Sequence, residues 1–135
     1  MALTLLGQCK PTQMSMSSSP LIGTTWSLAA VNGVALITPA DARAVHFVLE
    51  ESGQTRRING YAGCNNITGS YTTNGSSVIS FTVASTRMMC SPEKMEVEQF
   101  FLGALSNANR YAIRADTLYL SNSDTLLAKF RGIAR

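Results

Sequence analysis

Two cysteines that bracket a pair of short strand-like segments constrain this chain more than any other feature. Cys64 lies near the start of the segment 61–71, and Cys90 follows the segment 77–83. Between these segments lies Asn74-Gly75, a strong hairpin signal because both residues tolerate positive φ. A hairpin returns its two ends to one place, so the cysteines fall within disulfide range. An oxidising compartment would give a disulfide and a reducing one a pair of buried thiols, and the residues leave both open.

Glycine punctuates the first of these segments, at positions 60, 63 and 69. Glycine within a strand pattern indicates a bulge or a close approach of two backbones. Asn59-Gly60 also predicts a turn. In the second segment, alternation places Ile79, Phe81 and Val83 on the core face.

The rest of the chain predicts more short strands, joined by polar turns. They cover 25–31, 34–37, 45–49, 55–58, 111–113, 117–120 and 126–130. Tight turns imply antiparallel neighbours. About eight short strands in one small domain predict a mainly β (α+β) fold, a sheet rolled into a barrel, with Trp26 and Leu28 on its inner face.

A single helix is predicted at about residues 92–106. Ser91 is expected to cap it, and Pro92 suits the first helical position. Glu96, Glu98 and Gln99 are expected to face water. The apolar stripe comprises Met95, Val97, Phe101, Leu102 and Leu105, with Phe100 at its margin.

Charge and hydropathy exclude several classes of protein. Hydrophobic residues make up 45% of the chain and charged residues 14%, a balance typical of a packed domain. The net charge of +3 is spread along the sequence, and Arg56-Arg57 is the longest basic run. We therefore expect no nucleic-acid partner. No apolar run reaches the roughly 20 residues that span a bilayer.

The first 20 residues predict an extension or linker, and the domain is assigned to residues 21–135. Residues 10–20 are rich in Pro, Ser and Thr, and residues 3–7 predict a strand or a trimmed signal. Cys9 has two interpretations, a lipid-bearing cysteine or a free thiol. Gln8 stands where a lipoprotein signal has a small residue, which favours the thiol.

Several of these segments together resemble the META domain, or HslJ-like, family. The resemblance rests on Gly60-Tyr61-Ala62-Gly63-Cys64-Asn65, Gly69-Ser70-Tyr71, Thr86-Arg87-Met88-Met89-Cys90, Glu98-Gln99-Phe100 and Thr25-Trp26-Ser27-Leu28. It implies a small antiparallel β-barrel with one helix. It also implies a non-catalytic protein of the cell envelope, stress response, secretion or virulence, similar to bacterial heat-shock lipoproteins and trypanosomatid META-domain proteins.

The candidate site residues beyond the two cysteines come from these motifs. They are Trp26, Gly63, Asn65, Gly69, Thr86, Arg87, Glu98 and Phe100. We interpret Asn65 as a turn residue whose amide satisfies main-chain groups. Arg87 has two interpretations, an anion-binding residue beside the helix or, as we favour, a structural residue that pairs within its loop. The methionines at 88, 89 and 95 are predicted to fill the core.

No catalytic, metal or cofactor set is expected. His46 is the single histidine, and three cysteines with one histidine lack the spacing of a zinc site. A nucleophile pair would require His46 beside Cys64 or Cys90, and nothing in the sequence places them together.

The sequence therefore predicts a monomeric binding or interaction module that takes a protein partner or an apolar, lipid ligand. The alternative is a structural component of a membrane or cytoskeletal assembly, held through residues 1–20. Membrane association is expected only through Cys9 or a partner. The location stays open between a bacterial envelope and the interior or flagellar-pocket region of a trypanosomatid cell.

Overall fold

Residues 18–35 and 43–133 are described by the structure, which is a computed structural model. This part of the chain forms nine strands and one helix. They are β1 Thr25–Val31, β2 Val34–Ala35, β3 His46–Ser52, β4 Thr55–Tyr61, β5 Asn66–Asn74, β6 Val78–Ser85, α1 Pro92–Asn107, β7 Arg110–Arg114, β8 Thr117–Asn122 and β9 Thr125–Ile133.

Eight of the strands close into an antiparallel ring. Each of β3 to β8 pairs with the strand that follows it, and β1 pairs with β3. β1 also pairs with β9, from Thr25 opposite Ile133 to Val31 opposite Ala128. The two-residue β2 lies beside the end of β1, outside the ring. Closure leaves few open sheet edges. The predicted β-barrel with one helix is confirmed.

Strand pairing in the ring is weakest between β6 and β7, which share the single register pair Val78 and Arg110. Helix α1 connects these two strands in sequence and packs against β6, β8, β1 and β9. It contributes the buried side chains of Phe101, Ala104 and Leu105. The helix therefore completes the core where strand pairing is weakest.

Aromatic side chains fill the interior of the barrel. The ring centroid of Phe47 lies 5.0 Å from that of Phe130 and 5.9 Å from that of Phe81, and Phe101 lies 6.0 Å from Phe130. Trp26 is fully buried, and its indole N–H donates to the Leu21 carbonyl at 3.0 Å. Burying each such side chain contributes about 1.5–3 kcal/mol.

Two glycines permit close strand contacts that no other residue would allow. The predicted turn at Asn59-Gly60 is wrong, because β4 runs through both residues. A Cβ at Gly60 would collide with the His46 carbonyl, and one at Gly69 with the Thr82 carbonyl. The expectation of a close backbone approach therefore holds at both positions.

The helix differs from its prediction in two respects. It extends to Asn107, one residue beyond the predicted end. Pro92 does lie in its first turn, but the Ser91 side chain makes no capping hydrogen bond. Instead the Ser91 carbonyl accepts the first helical bond, from the Met95 N–H at 3.0 Å.

The described chain already packs before Leu21. The Ser19 N–H donates to the Ala115 carbonyl at 2.9 Å, and the Thr24 hydroxyl donates to the Pro20 carbonyl at 2.7 Å. The predicted strand at 3–7, Cys9 and the end of the predicted strand 34–37 lie outside the described residues. Within those residues no helix is long and apolar enough to cross a membrane.

Candidate functional site

A disulfide ties the loop that precedes the helix to the turn between β4 and β5. Cys64 lies in that turn and Cys90 lies two residues before α1, with 5.9 Å between their Cα atoms. Of the two states left open by the sequence, the structure has the bonded one. We call residues 86–90 the methionine loop.

A buried carboxylate sits beneath this disulfide. Glu98 is 5% exposed, so its predicted position on the wet face of the helix is wrong. Its Oε1 accepts the N–H groups of Cys64 at 3.1 Å and Asn65 at 2.7 Å, and its Oε2 accepts the Asn65 amide at 2.8 Å. Three donors thus replace the water that an ionised carboxylate would otherwise require.

The side chain of Asn65 connects Glu98 to the methionine loop through hydrogen bonds. Its Oδ1 accepts the Met88 N–H at 2.7 Å and the Thr86 hydroxyl at 2.8 Å. Its Nδ2 also donates to the Met88 carbonyl at 3.3 Å. The amide bonds main-chain groups, as expected for this residue, but both of these groups belong to Met88, 23 positions away.

Gly63 allows the turn to approach the helix. Its φ of +121° is a conformation that side chains disfavour, and a Cβ there would lie 3.2 Å from the Lys94 carbonyl. The Tyr61 hydroxyl donates to the Gly63 carbonyl at 2.9 Å. These contacts place the N–H groups of residues 64 and 65 over Glu98.

The braced loop presents apolar and basic side chains to solvent. Met88 is 57% exposed and Met89 85%, so their predicted core positions are wrong, whereas Met95 is half-buried. Arg87 is exposed and makes no hydrogen bond or ion pair with any residue in the described part of the chain. It therefore makes neither the salt bridge nor the loop hydrogen bonds that we favoured.

His46 does not form a catalytic pair with Cys64 or Cys90. The His46 Nδ1 lies 2.9 Å from the Ala44 carbonyl oxygen, and both cysteines of the site are consumed in the disulfide. His46 instead borders an open groove of about 390 Å³ on the outside of β3, β4 and β5, beside Arg43 and Asn66. Among the described residues, no three His, Cys, Asp or Glu side chains are grouped so as to hold a metal ion.

The other motif residues lie in different parts of the domain. Trp26 lies in the core, Gly69 lies against β6, and Phe100 is half-exposed on the outer side of α1. Thr86 joins the loop network through its hydroxyl. Helical periodicity alone missed the role of Glu98, whereas the motif resemblance had already singled it out. Nothing in the sequence indicated that the two methionines are exposed, apart from their place in the Thr86–Cys90 motif.

The fold is shared with solved structures. A protein from Burkholderia xenovorans, determined by NMR, is 24% identical with a TM-score of 0.68, over 95% of this chain and 99% of that one. A second NMR structure is 21% identical with a TM-score of 0.61, over 82% and 91% of the two chains. At these identities the likeness shows the fold alone. No curated protein matches the sequence.

Comparison with family models gives the assignment. The model of the META domain matches residues 19–132, which include the barrel, the helix and the braced loop. The match begins at Ser19, where the structure shows the first main-chain hydrogen bond to the barrel. The chain belongs to the META domain family.

Proposed function

We propose that this protein is a non-catalytic interaction module and that the methionine loop is its contact surface. The observation that carries the proposal is the number of interactions that hold this exposed loop in one conformation. Five residues whose side chains largely point into solvent are held by a disulfide and by the buried amide of Asn65, which the buried Glu98 carboxylate fixes in turn. These exposed side chains do not pack in the core of the barrel, so core packing does not explain why the loop is fixed.

A fixed loop is well suited to binding. Ordering a mobile segment on association costs free energy, and a segment fixed beforehand avoids that cost. Methionine side chains are flexible and polarizable, so they adapt to an apolar partner surface. The exposed guanidinium of Arg87 can pair with a carboxylate at the edge of that surface.

The interior of the barrel supports an external contact. Phe47, Phe101, Phe130 and Trp26 are all fully buried and occupy its centre. We therefore place the partner, a protein with an apolar patch rimmed by carboxylates, on the loop and not in an apolar mouth. The cell envelope, stress response, secretion and virulence are the settings that the family resemblance suggests for such a module, and they belong to this proposal.

Native mass spectrometry of complexes assembled in cell extract tests the proposal. The variant Met88→Ser/Met89→Ser is compared with Val78→Ser/Ile22→Ser, which removes two similarly apolar exposed side chains elsewhere on the barrel. We expect a stoichiometric protein complex with the wild type and with the control, and its loss in the methionine variant. A complex that survives in the methionine variant, or no complex with the wild type, refutes the proposal.

A further inference from the structure

Residues that are far apart in sequence form a basic face on the outside of three neighbouring strands. In β7, Arg110 and Arg114 alternate with the inward Tyr111 and Ile113, and in β9, Lys129 and Arg131 flank the buried Phe130. Tyr119 of β8 lies between these two strands. We call Arg110, Arg114, Tyr119, Lys129 and Arg131 the basic face.

The register of the sheet brings these side chains into adjacent rows. Arg114 and Arg131 both pair with Thr117, one from each side, and Lys129 pairs with Tyr119. Strands lie about 4.8 Å apart, so the two arginines of one row are about 10 Å apart. The guanidinium of Arg114 lies 5.7 Å from the centroid of the Tyr119 ring, and the ammonium of Lys129 lies 5.8 Å from it.

In the part of the chain that the structure describes, carboxylates lie only at the ends of this face. Asp116 occupies the turn between β7 and β8, where an oxygen lies 3.8 Å from the Arg131 guanidinium. Asp124 occupies the turn between β8 and β9. By contrast, the hairpin of β3 and β4 places Glu50 opposite Arg57 and Glu51 opposite Arg56. Positive charge is therefore concentrated on β7–β9, although no basic run in the sequence shows it.

Exposed aliphatic side chains bound the cations along β9. Leu126, near the start of this strand, is 40% exposed, and Ile133, at its end, is 49% exposed. Ile133 alternates in phase with Lys129 and Arg131, so it shares their face. Cations bracketed by aliphatic side chains, with a tyrosine among them, match the headgroup region of an anionic bilayer, where basic side chains meet lipid phosphates and apolar ones enter the acyl boundary.

From this composition we propose that the basic face binds the surface of an anionic lipid bilayer. The proposal goes beyond the interaction of the methionine loop and does not depend on it. It also differs from the expected membrane routes through Cys9 or a partner, because the domain itself makes the contact. Each basic side chain near such a surface strengthens binding about fivefold.

A nucleic acid fits this face less well. Proteins that bind single strands use exposed aromatic rings on which successive bases stack. Here one tyrosine is half-buried, and two cations of the same face already lie against its ring. The aliphatic side chains of Leu126 and Ile133 would also have no partner on a phosphate backbone.

Vesicle sedimentation of the full chain tests the proposal. Vesicles of phosphatidylcholine with 30% phosphatidylserine are compared with phosphatidylcholine alone. The variant Arg114→Gln/Lys129→Gln/Arg131→Gln removes three cations of the face, and the control Arg56→Gln/Arg57→Gln/Lys94→Gln removes three from β4 and α1. All six side chains are exposed, so each variant is expected to fold, which the thermal midpoint checks.

We expect the wild type to bind only the anionic vesicles. The face variant should lose about a hundredfold in affinity, whereas the control should stay within about fivefold. Ile133→Ser should weaken binding by a factor that persists at high salt. Equal losses in face variant and control, or equal binding to neutral vesicles, would overturn the proposal. Tighter binding to an oligothymidylate, lost in the same face variant, would overturn it in favour of a nucleic acid.

Discussion

Replacing Glu98 by alanine tests whether the buried carboxylate holds the site together. The substitution removes the acceptor of three hydrogen bonds, from the N–H groups of Cys64 and Asn65 and from the Asn65 amide. The three donors are then left buried without their partner. Because α1 also carries the exposed Glu96 on the same helix, the chain supplies its own control.

The expected loss of unfolding free energy follows from the three hydrogen bonds that the substitution removes. Hydrogen bonds to a charged group are worth about 1.5–3 kcal/mol each, so a plain sum over three would reach about 4.5–9 kcal/mol. Relaxation of the turn and entry of water reduce this, because donors that reach water recover part of their hydrogen bonding. We therefore expect Glu98→Ala to lower the free energy of unfolding by about 4 kcal/mol, a large share of the 5–15 kcal/mol typical of a domain.

Urea unfolding of the oxidised protein measures this difference. Glu96→Ala should remain within about 0.5 kcal/mol of the wild type, as surface substitutions usually do. Glu98→Gln should fall between the two, at about 2 kcal/mol. Its carbonyl oxygen can still accept the two main-chain N–H groups, but its amide nitrogen would oppose that of Asn65. If Glu98→Ala lies within about 1 kcal/mol of Glu96→Ala, the carboxylate does not brace the loop.

Three further changes give distinct results. The Tyr71 hydroxyl is buried without a partner among the described residues, and burial, together with Glu51, raises its pKa; Tyr71→Phe should therefore be neutral or stabilising by up to about 1 kcal/mol in thermal unfolding. Because the raised pKa keeps the folded phenol protonated while the unfolded one ionises above its ordinary pKa of 10.0, the wild type should lose stability as the pH rises above 10, and Tyr71→Phe should not show that loss. Gly69→Ala drives a Cβ into β6 and should cost about 3 kcal/mol, whereas Gly103→Ala meets open space in the helix and should gain about 0.5–1 kcal/mol. Replacing both Cys64 and Cys90 by serine opens a covalent loop of about 26 residues and should cost about 3.5 kcal/mol in urea unfolding.

Local sequence patterns predicted the barrel because apolar residues occupy alternate positions along its strands. Ile79 and Phe81 are buried as their alternation requires, and Trp26 and Leu28 face the interior. A one-residue slip would turn each of these side chains to the opposite face, so burial fixes the register. Asn59-Gly60 misled the prediction, because the same dipeptide serves a turn or a close strand contact, and only the neighbouring strand decides which.

The site was less predictable because its partners come from distant parts of the chain. Periodicity predicted that Glu98 faces solvent, since its neighbours Glu96 and Gln99 are polar. The hydrogen-bond donors that compensate for its burial come from residues 64 and 65. The basic face escaped for a similar reason. Arg114 and Arg131 lie seventeen positions apart, and only the pairing of β7, β8 and β9 makes them neighbours.

The seam between the first and last strands has a consequence for engineering the chain. Ile133 pairs with Thr25, and the Ser19 hydroxyl lies beside Gly132, so the two ends of the described barrel meet at one rim. A few added residues could join them covalently, and the exposed turn at Gly53 could then be cut to give new termini. A circular permutant made in this way should fold with the same disulfide, and its two new tails would emerge at the same rim, because β3 runs antiparallel to β1 and ends on the Thr25 side.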